Sequence, residues 1–210
     1  MDIFGQSWRE HDRKLRESFD LLNEEDLCVI CGDISWGMGL EDCLQDFLFI
    51  DSLPGKKIIL KGNHDYWWTT VKKINEFFAE NGIDSIEILN NNSFRYNGIS
   101  ICGTRGWFFE EETGTAHDKK ILARETGRLK ASLESAGEGE KLVFLHYPPI
   151  YRNYRCGEIL ELLKEYGIKH CYYGHIHGRG IPSAVNGWVE GCEYRLVSAD
   201  ALGFKPYKIC

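Results

Sequence analysis

Four short apolar segments of this sequence are each followed by residue types that bind metals, and this pattern constrains the fold more than any other feature. The segments are Leu27–Cys31, Ile58–Leu60, Leu142–Leu145 and Cys171–Tyr173. Each has the length and composition of a buried strand. Because parallel strands place their carboxyl ends along one edge of a sheet, the residues after these segments are expected to lie close together at one rim.

The residues that follow the four segments form a mixed set of oxygen and nitrogen donors. In chain order they are Gly32-Asp33, Gly62-Asn63-His64-Asp65, His146 and Gly174-His175-Ile176-His177. Asp33, Asn63, His146 and His175 together suit a divalent ion such as Mn²⁺, Fe²⁺ or Zn²⁺. Each glycine is expected to let the backbone turn so that the next side chain faces the ion.

The spacing of the last two histidines predicts a second ion beside the first. His175 and His177 are two residues apart, so in an extended backbone their side chains point to the same side. One could bind the first ion and the other a neighbouring ion. His11, His117 and His170 have no ligand partner at a useful spacing and are interpreted as structural residues.

Between the strands, apolar residues at helical intervals predict helices. The first is expected from Ser7 to Leu22, with Ser7 as N-cap and Glu10 completing a capping box. The early alternation of strand and helix favours a parallel sheet, and the strand-rich later part favours antiparallel additions. The predicted fold is a layered α/β sandwich that forms a single domain over residues 1–210.

Composition narrows the possible partners. The 210 residues carry a net charge of −7, which argues against general affinity for nucleic acid or for an anionic membrane. No segment approaches the length of a membrane span, and the polar start does not resemble a signal peptide. The expected location is therefore the cytoplasm. The negative charge does not exclude a small phosphorylated substrate as partner, because a bound metal could meet the charge of the phosphate. Oligomeric state is not indicated.

The ordered motifs, taken together, resemble the motif series of the calcineurin-like metallophosphoesterases. That family has a four-layer α/β/β/α sandwich with a two-metal site between the sheets. The resemblance implies that Asp33 bridges two ions, that Asn63, His146 and His175 complete one of them, and that His177 binds the other. His64 would be the catalytic histidine. Further stretches resemble a bacterial cytoplasmic branch of predicted phosphohydrolases: Asp2–Trp8, Gly32–Trp36 and Ser198–Ile209.

One family motif has no counterpart in this sequence. The family opens with a strand ending in Asp-x-His, which supplies two ligands to the second metal, whereas this chain begins directly before its first helix. Either about twenty residues precede this start or the protein lacks that half-site. In the second case the N-terminal strand is missing, and the alternative function is a non-catalytic metal-binding or interaction protein.

The function implied is hydrolysis of a phosphate monoester or diester by a metal-bound hydroxide, with manganese as one candidate metal and His64 as general acid. Asp65 is a candidate for orienting a neighbouring side chain. Arginine suits bidentate contact with phosphate, although a solvated loop position is an equal alternative for each arginine in these loops. The candidate arginines are Arg105, Arg152 and Arg155.

Overall fold

The computed structural model describes residues 5–109 and 114–209, and within these ranges two main sheets organise the chain. The smaller sheet consists of three parallel strands: β1 (Leu27–Ile30), β2 (Lys56–Ile59) and β3 (Ile86–Ile88), in that order. Helix α1 (His11–Phe19) precedes it, and α2 (Leu44–Asp51) and α3 (Val71–Glu80) connect its strands. This is the alternation of strand and helix that the sequence predicts.

The larger sheet consists of six strands: β4 (Phe94–Tyr96), β5 (Ile99–Thr104), β6 (Lys141–Leu145), β9 (His170–Tyr173), β10 (Gly187–Val189) and β11 (Cys192–Leu196). They lie in the order β10-β11-β9-β6-β5-β4. Its inner strands are parallel, and β4 and β10 pair antiparallel at its edges. Helices α4 (Ala116–Ser135) and α5 (Gly157–Glu165) and a small hairpin of β7 (Ile150–Tyr151) and β8 (Tyr154–Arg155) complete the fold.

Alternating side chains on the strands divide the interior into three cores. In β2, Ile59 packs with the side chains of α2 and α3, whereas Ile58 packs between the sheets. In β6, Val143 packs with α4 and α5, whereas Phe144 faces the inter-sheet core. Neighbouring strand residues point to opposite faces, so each sheet buries one face under helices and the other against the second sheet. The result is the expected four-layer α/β/β/α sandwich.

The start of the first helix differs from the prediction. Residues Gln6–Trp8 form a 3₁₀ turn, and Glu10 adopts a left-handed conformation (φ 53°) before α1 begins at His11. Ser7 therefore does not cap α1. The turn allows the buried Trp8 to pack edge-on against Phe204, at 5.1 Å between ring centroids. Burial of a large aromatic side chain thus outweighs the local capping pattern.

The edge strand β4 and its neighbour β5 form a hairpin. Asn97 and Gly98 both have positive φ, at 48° and 85°, and they join β4 to β5. An Asn-Gly pair in this conformation is the usual two-residue turn of an antiparallel hairpin.

Among the helices of the described ranges, none combines the length and the apolar character needed to cross a membrane.

Candidate metal centre

The predicted donors meet at the carboxyl ends of strands from both sheets, not of one sheet as the sequence suggested. Asp33 and Asn63 follow β1 and β2 of the smaller sheet. His146 and His175 follow β6 and β9 of the larger sheet. Because the two sheets pack face to face, their loops converge over the inter-sheet core.

The side-chain atoms of these four residues converge around His146. Its Nε2 lies 2.7 Å from Oδ1 of Asn63, 3.2 Å from Nδ1 of His175 and 3.6 Å from Oδ1 of Asp33. Three donor atoms lie within 4.8 Å of one another, one from each of Asp33, His146 and His175. The arrangement has the spacing of a ligand set around one cation.

The hydrogen bond of His146 to the backbone indicates that its other ring nitrogen, Nε2, presents an electron pair to this cluster. Its Nδ1 lies 2.7 Å from the carbonyl oxygen of Cys31, which can only accept, so Nδ1 carries the hydrogen. Burial lowers the pKa of His146 and favours the neutral ring. Burial, reinforced by His146, lowers the pKa of His175 to about 4. Nε2 of His146 therefore presents a lone pair towards Asn63 and Asp33.

This donor chemistry fits a divalent cation. A neutral imidazole whose other ring nitrogen donates to a backbone carbonyl is the usual form of a metal-binding histidine. With the amide of Asn63 in the observed orientation, Oδ1 faces the lone pair of His146, and a cation between these atoms would relieve their repulsion. The four residues present therefore suit one ion with mixed nitrogen and oxygen ligands.

Two of the donors have an unusual backbone conformation. Asp33 and His175 have φ values of 56° and 69°, in the left-handed region that few non-glycine residues adopt. Such a conformation costs on the order of 1–3 kcal/mol and persists where the surrounding structure fixes it. The backbone thus aims both side chains into the cluster at some expense of local stability.

The glycines before the donors have different roles from those expected. Of the three, only Gly32 has positive φ (87°), and a Cβ there would lie 2.6 Å from the nitrogen of Gly62. A Cβ on Gly62 would overlap Asp33. Gly62 is therefore needed for close approach of the two loops, not for a left-handed turn. Gly174 also lacks positive φ, and it packs against Cys31.

The fully buried carboxylate of Asp65 ties the first two loops together. Burial raises the pKa of this group, while the N–H groups that donate to it favour the ionised form. Asp65 thus positions the backbone on both sides of the donors. The donors to its carboxylate are the backbone N–H groups of Asp33, Ile34, Ser35 and Gly62 and the indole N–H of Trp67.

The variant Asp65→Asn is expected to destabilise the fold by about 3 kcal/mol. The side-chain amide of asparagine has one acceptor oxygen, and its NH₂ group would face N–H groups that now donate to the carboxylate. Urea unfolding measures this change. Asp84→Asn, which alters an exposed carboxylate before β3, is the matched control and is expected to change stability by less than about 0.5 kcal/mol. Equal stability of the two variants would contradict the role given to Asp65.

His64 lies beside the cluster and its ring is held from two sides. Its Nδ1 is 3.0 Å from the hydroxyl oxygen of Tyr66, and its ring stacks on Trp36 with centroids 4.5 Å apart. Its backbone N–H donates to Oδ1 of Asp33 at 2.9 Å. The ring is therefore oriented while Nε2 remains available to a bound molecule.

Comparison with known proteins identifies the family. Residues 5–179 match the model of the calcineurin-like phosphoesterases. The chain belongs to the calcineurin-like phosphoesterase family. A search of curated proteins gave no significant match.

Solved structures show the same fold at low sequence identity. One is TT1561 of Thermus thermophilus, with 14% identity, a TM-score of 0.55 and coverage of 82% of this chain and 78% of that chain. Another is the phosphopantetheinyl hydrolase PptH from Mycobacterium tuberculosis, with 13% identity, a TM-score of 0.53 and coverage of 86% of this chain and 82% of that chain. These similarities concern the fold alone.

In this calcineurin-like phosphoesterase, the histidine predicted to bind a second ion has a partner that the sequence analysis missed. Nδ1 of His177 lies 2.8 Å from Oδ1 of Asp200, whose other oxygen accepts the N–H of Gly178. Burial alone would raise the pKa of Asp200, but these hydrogen bonds lower it. Asp200 follows β11, which runs parallel to β9. Because the carboxyl ends of parallel strands meet at one edge, the residues after β11 could have been included among the candidates from sequence.

The predicted arginines occupy three different environments. Arg105 is largely buried and pairs with Glu125 at 3.2 Å. Arg155 pairs with Glu190 at 2.8 Å on the surface. Arg152 lies over the ring of Tyr151, 5.0 Å from its centroid. Within the described ranges the contacts of Arg152 and Arg155 are with these residues and not with the metal-centre donors. The predicted role of the three arginines in substrate binding stays a prediction.

Proposed function

We propose that this chain hydrolyses phosphate esters with a divalent cation held by Asp33, Asn63, His146 and His175. The observation that carries the proposal is the hydrogen bond from Nδ1 of His146 to the carbonyl oxygen of Cys31. It leaves Nε2 with a lone pair, 2.7 Å from Oδ1 of Asn63 and 3.6 Å from Oδ1 of Asp33. Membership of a phosphoesterase family supports the reaction class.

A cation held there would supply Lewis-acid activation of the ester and of the attacking water. The chain itself supplies the proton for the leaving group. His64, oriented by Tyr66 and Trp36, presents Nε2 to a bound ester, and in its protonated form it donates to the departing oxygen.

The described residues fit one ion more completely than two. His177 and Asp33 are the predicted ligands of a second ion, and within the described ranges a close group of three His, Cys, Asp or Glu donors occurs at Asp33, His146 and His175. We therefore expect one tightly held ion, with Mn²⁺, Fe²⁺ and Zn²⁺ as the candidates that this mixed donor set favours.

The test is hydrolysis of an aryl phosphate monoester and of the matching diester, with metal content measured on the same sample. We expect one of the two esters to be hydrolysed, the activity to disappear with a chelator, and Mn²⁺ to restore it. The ester that reacts decides between phosphomonoesterase and phosphodiesterase. Bound metal without turnover of either ester would instead favour the alternative, a non-catalytic metal-binding protein.

A further inference from the structure

A cleft of about 470 Å³ opens beside the candidate metal centre. It lies at the carboxyl ends of β2, β3 and β5 and against α4, and its volume is that of a small-molecule site. The side chains that matter for its chemistry are Lys61, Thr70, Asn90, Arg105, Glu125 and Arg128.

The charges of this cleft are unbalanced. Three cationic side chains line it, whereas Glu125 is the carboxylate among its lining residues. Glu125 accepts from Thr104 at 2.6 Å and from Arg105 at 3.2 Å, and Nε of Arg128 lies 3.8 Å away. The whole chain has a net charge of −7, so this positive excess is a local feature.

Two of the cations also have unused hydrogen-bonding capacity. Nε of Arg105 is buried and has no hydrogen-bond partner within the described ranges. Lys61 makes no hydrogen bond or ion pair with the part of the chain that the structure describes. The carboxylate of Asp65, four residues after Lys61, already accepts hydrogen bonds from N–H groups of its own loops. A buried donor such as Nε of Arg105 is unfavourable without a partner. An anion in the cleft would accept a hydrogen bond from it and pair with the half-buried Lys61.

The cleft and the metal centre are close enough for one small molecule to reach both. Lys61 precedes Asn63 by two residues, so their Cα atoms are at most about 7 Å apart. The carbonyl oxygen of Arg105 accepts the N–H of Tyr147, the residue after His146, at 2.8 Å. A recess of about 20 Å³ beside Lys61, Arg105 and Arg128 has room for one small polar group.

We propose that this cleft binds a second phosphate group of the substrate, which makes the substrate class small bisphosphorylated molecules. The inference rests on the proposed function, because it places the reacting ester at the metal centre. A doubly charged phosphate matches the local excess of two positive charges, and arginine binds phosphate through more than one N–H. The acidic chain as a whole disfavours long polyanions such as nucleic acid.

The first experiment measures binding without catalysis. Inorganic phosphate is titrated by calorimetry into the full chain after treatment with a chelator. Arg128→Gln and Lys61→Gln are each expected to weaken binding about tenfold, the effect of losing one charge-assisted hydrogen bond. Arg124→Gln, an exposed position on the same helix, is the matched control and is expected to bind like the wild type. Equal phosphate binding by all four proteins, or none by the wild type, would overturn the proposal.

The second experiment uses the metal-loaded chain with propane-1,3-diol bisphosphate and propyl phosphate. We expect kcat/KM to be about tenfold higher for the bisphosphate, and this preference to fall in Arg128→Gln but not in Arg124→Gln. Hydrolysis of both substrates without any preference would remove the cleft from substrate recognition. Phosphate binding that depends on Arg128, with no hydrolysis of either substrate, would contradict the proposed function and leave the anion site intact.

Discussion

His146→Ala is expected to abolish stoichiometric metal binding and to lower phosphate-ester hydrolysis by about 10³-fold, more than the 10–100-fold typical for residues that only support a ligand. The physical reason is that Nε2 of His146 lies at the centre of the cluster, within 3.6 Å of atoms from Asn63, His175 and Asp33. Metal analysis after gel filtration and initial rates with an aryl phosphate measure the two effects.

The control for this variant is His170→Ala. His170 begins β9, at the strand end opposite His175, and its Nδ1 lies 3.1 Å from Glu193. Its loss removes an imidazole without touching the cluster, so metal content and rate should remain at wild-type values. If His146→Ala retained a full equivalent of tightly bound metal, the assignment of the metal centre would be wrong.

His64→Ala is expected to reduce kcat by about 10²–10⁴-fold, the usual contribution of a general acid, while metal content stays unchanged. The side chain is the proton donor in the proposed mechanism, but the contact with Asp33 is made by the backbone N–H, which alanine retains. Stopped assays with an aryl phosphate, together with metal analysis, separate the two roles.

Tyr66→Phe tests how the ring of His64 is held. It removes the hydroxyl 3.0 Å from Nδ1 and keeps the aromatic ring. We expect a loss of about fivefold in kcat, the rate equivalent of one neutral hydrogen bond. Full activity in His64→Ala with normal metal content would exclude the acid role, and Tyr66 would then have no catalytic consequence.

The convergence of the four donors was largely predictable because it depends on local sequence. An apolar run that ends at a glycine or histidine marks the carboxyl end of a buried strand, and parallel strands bring such ends together. Asp33, Asn63, His146 and His175 follow from that rule alone. Their division between two sheets does not, because strand pairing is decided by contacts between segments far apart in the chain.

Other parts of the site depend on tertiary contacts that leave no local pattern. Trp36 follows a predicted strand end, yet only the folded chain shows its ring on His64. Arg128 is an ordinary polar residue of a long helix until that helix places it beside Asn90, 38 residues earlier in the chain. The start of α1 was mispredicted for the same reason, since Trp8 is positioned by Phe204, almost 200 residues later.

The division of the donors between the two sheets would couple the proposed cation binding to the stability of the whole protein. An ion held by Asp33 and Asn63 on one side and by His146 and His175 on the other would link the two sheets, each of which has its own helix-covered core. Binding that requires both halves in place stabilises the folded state by RT ln(1 + [L]/Kd), so the resistance of this chain to unfolding and proteolysis should rise with the available concentration of the ion. Metal supply would then set how long the protein survives, as well as how fast it works.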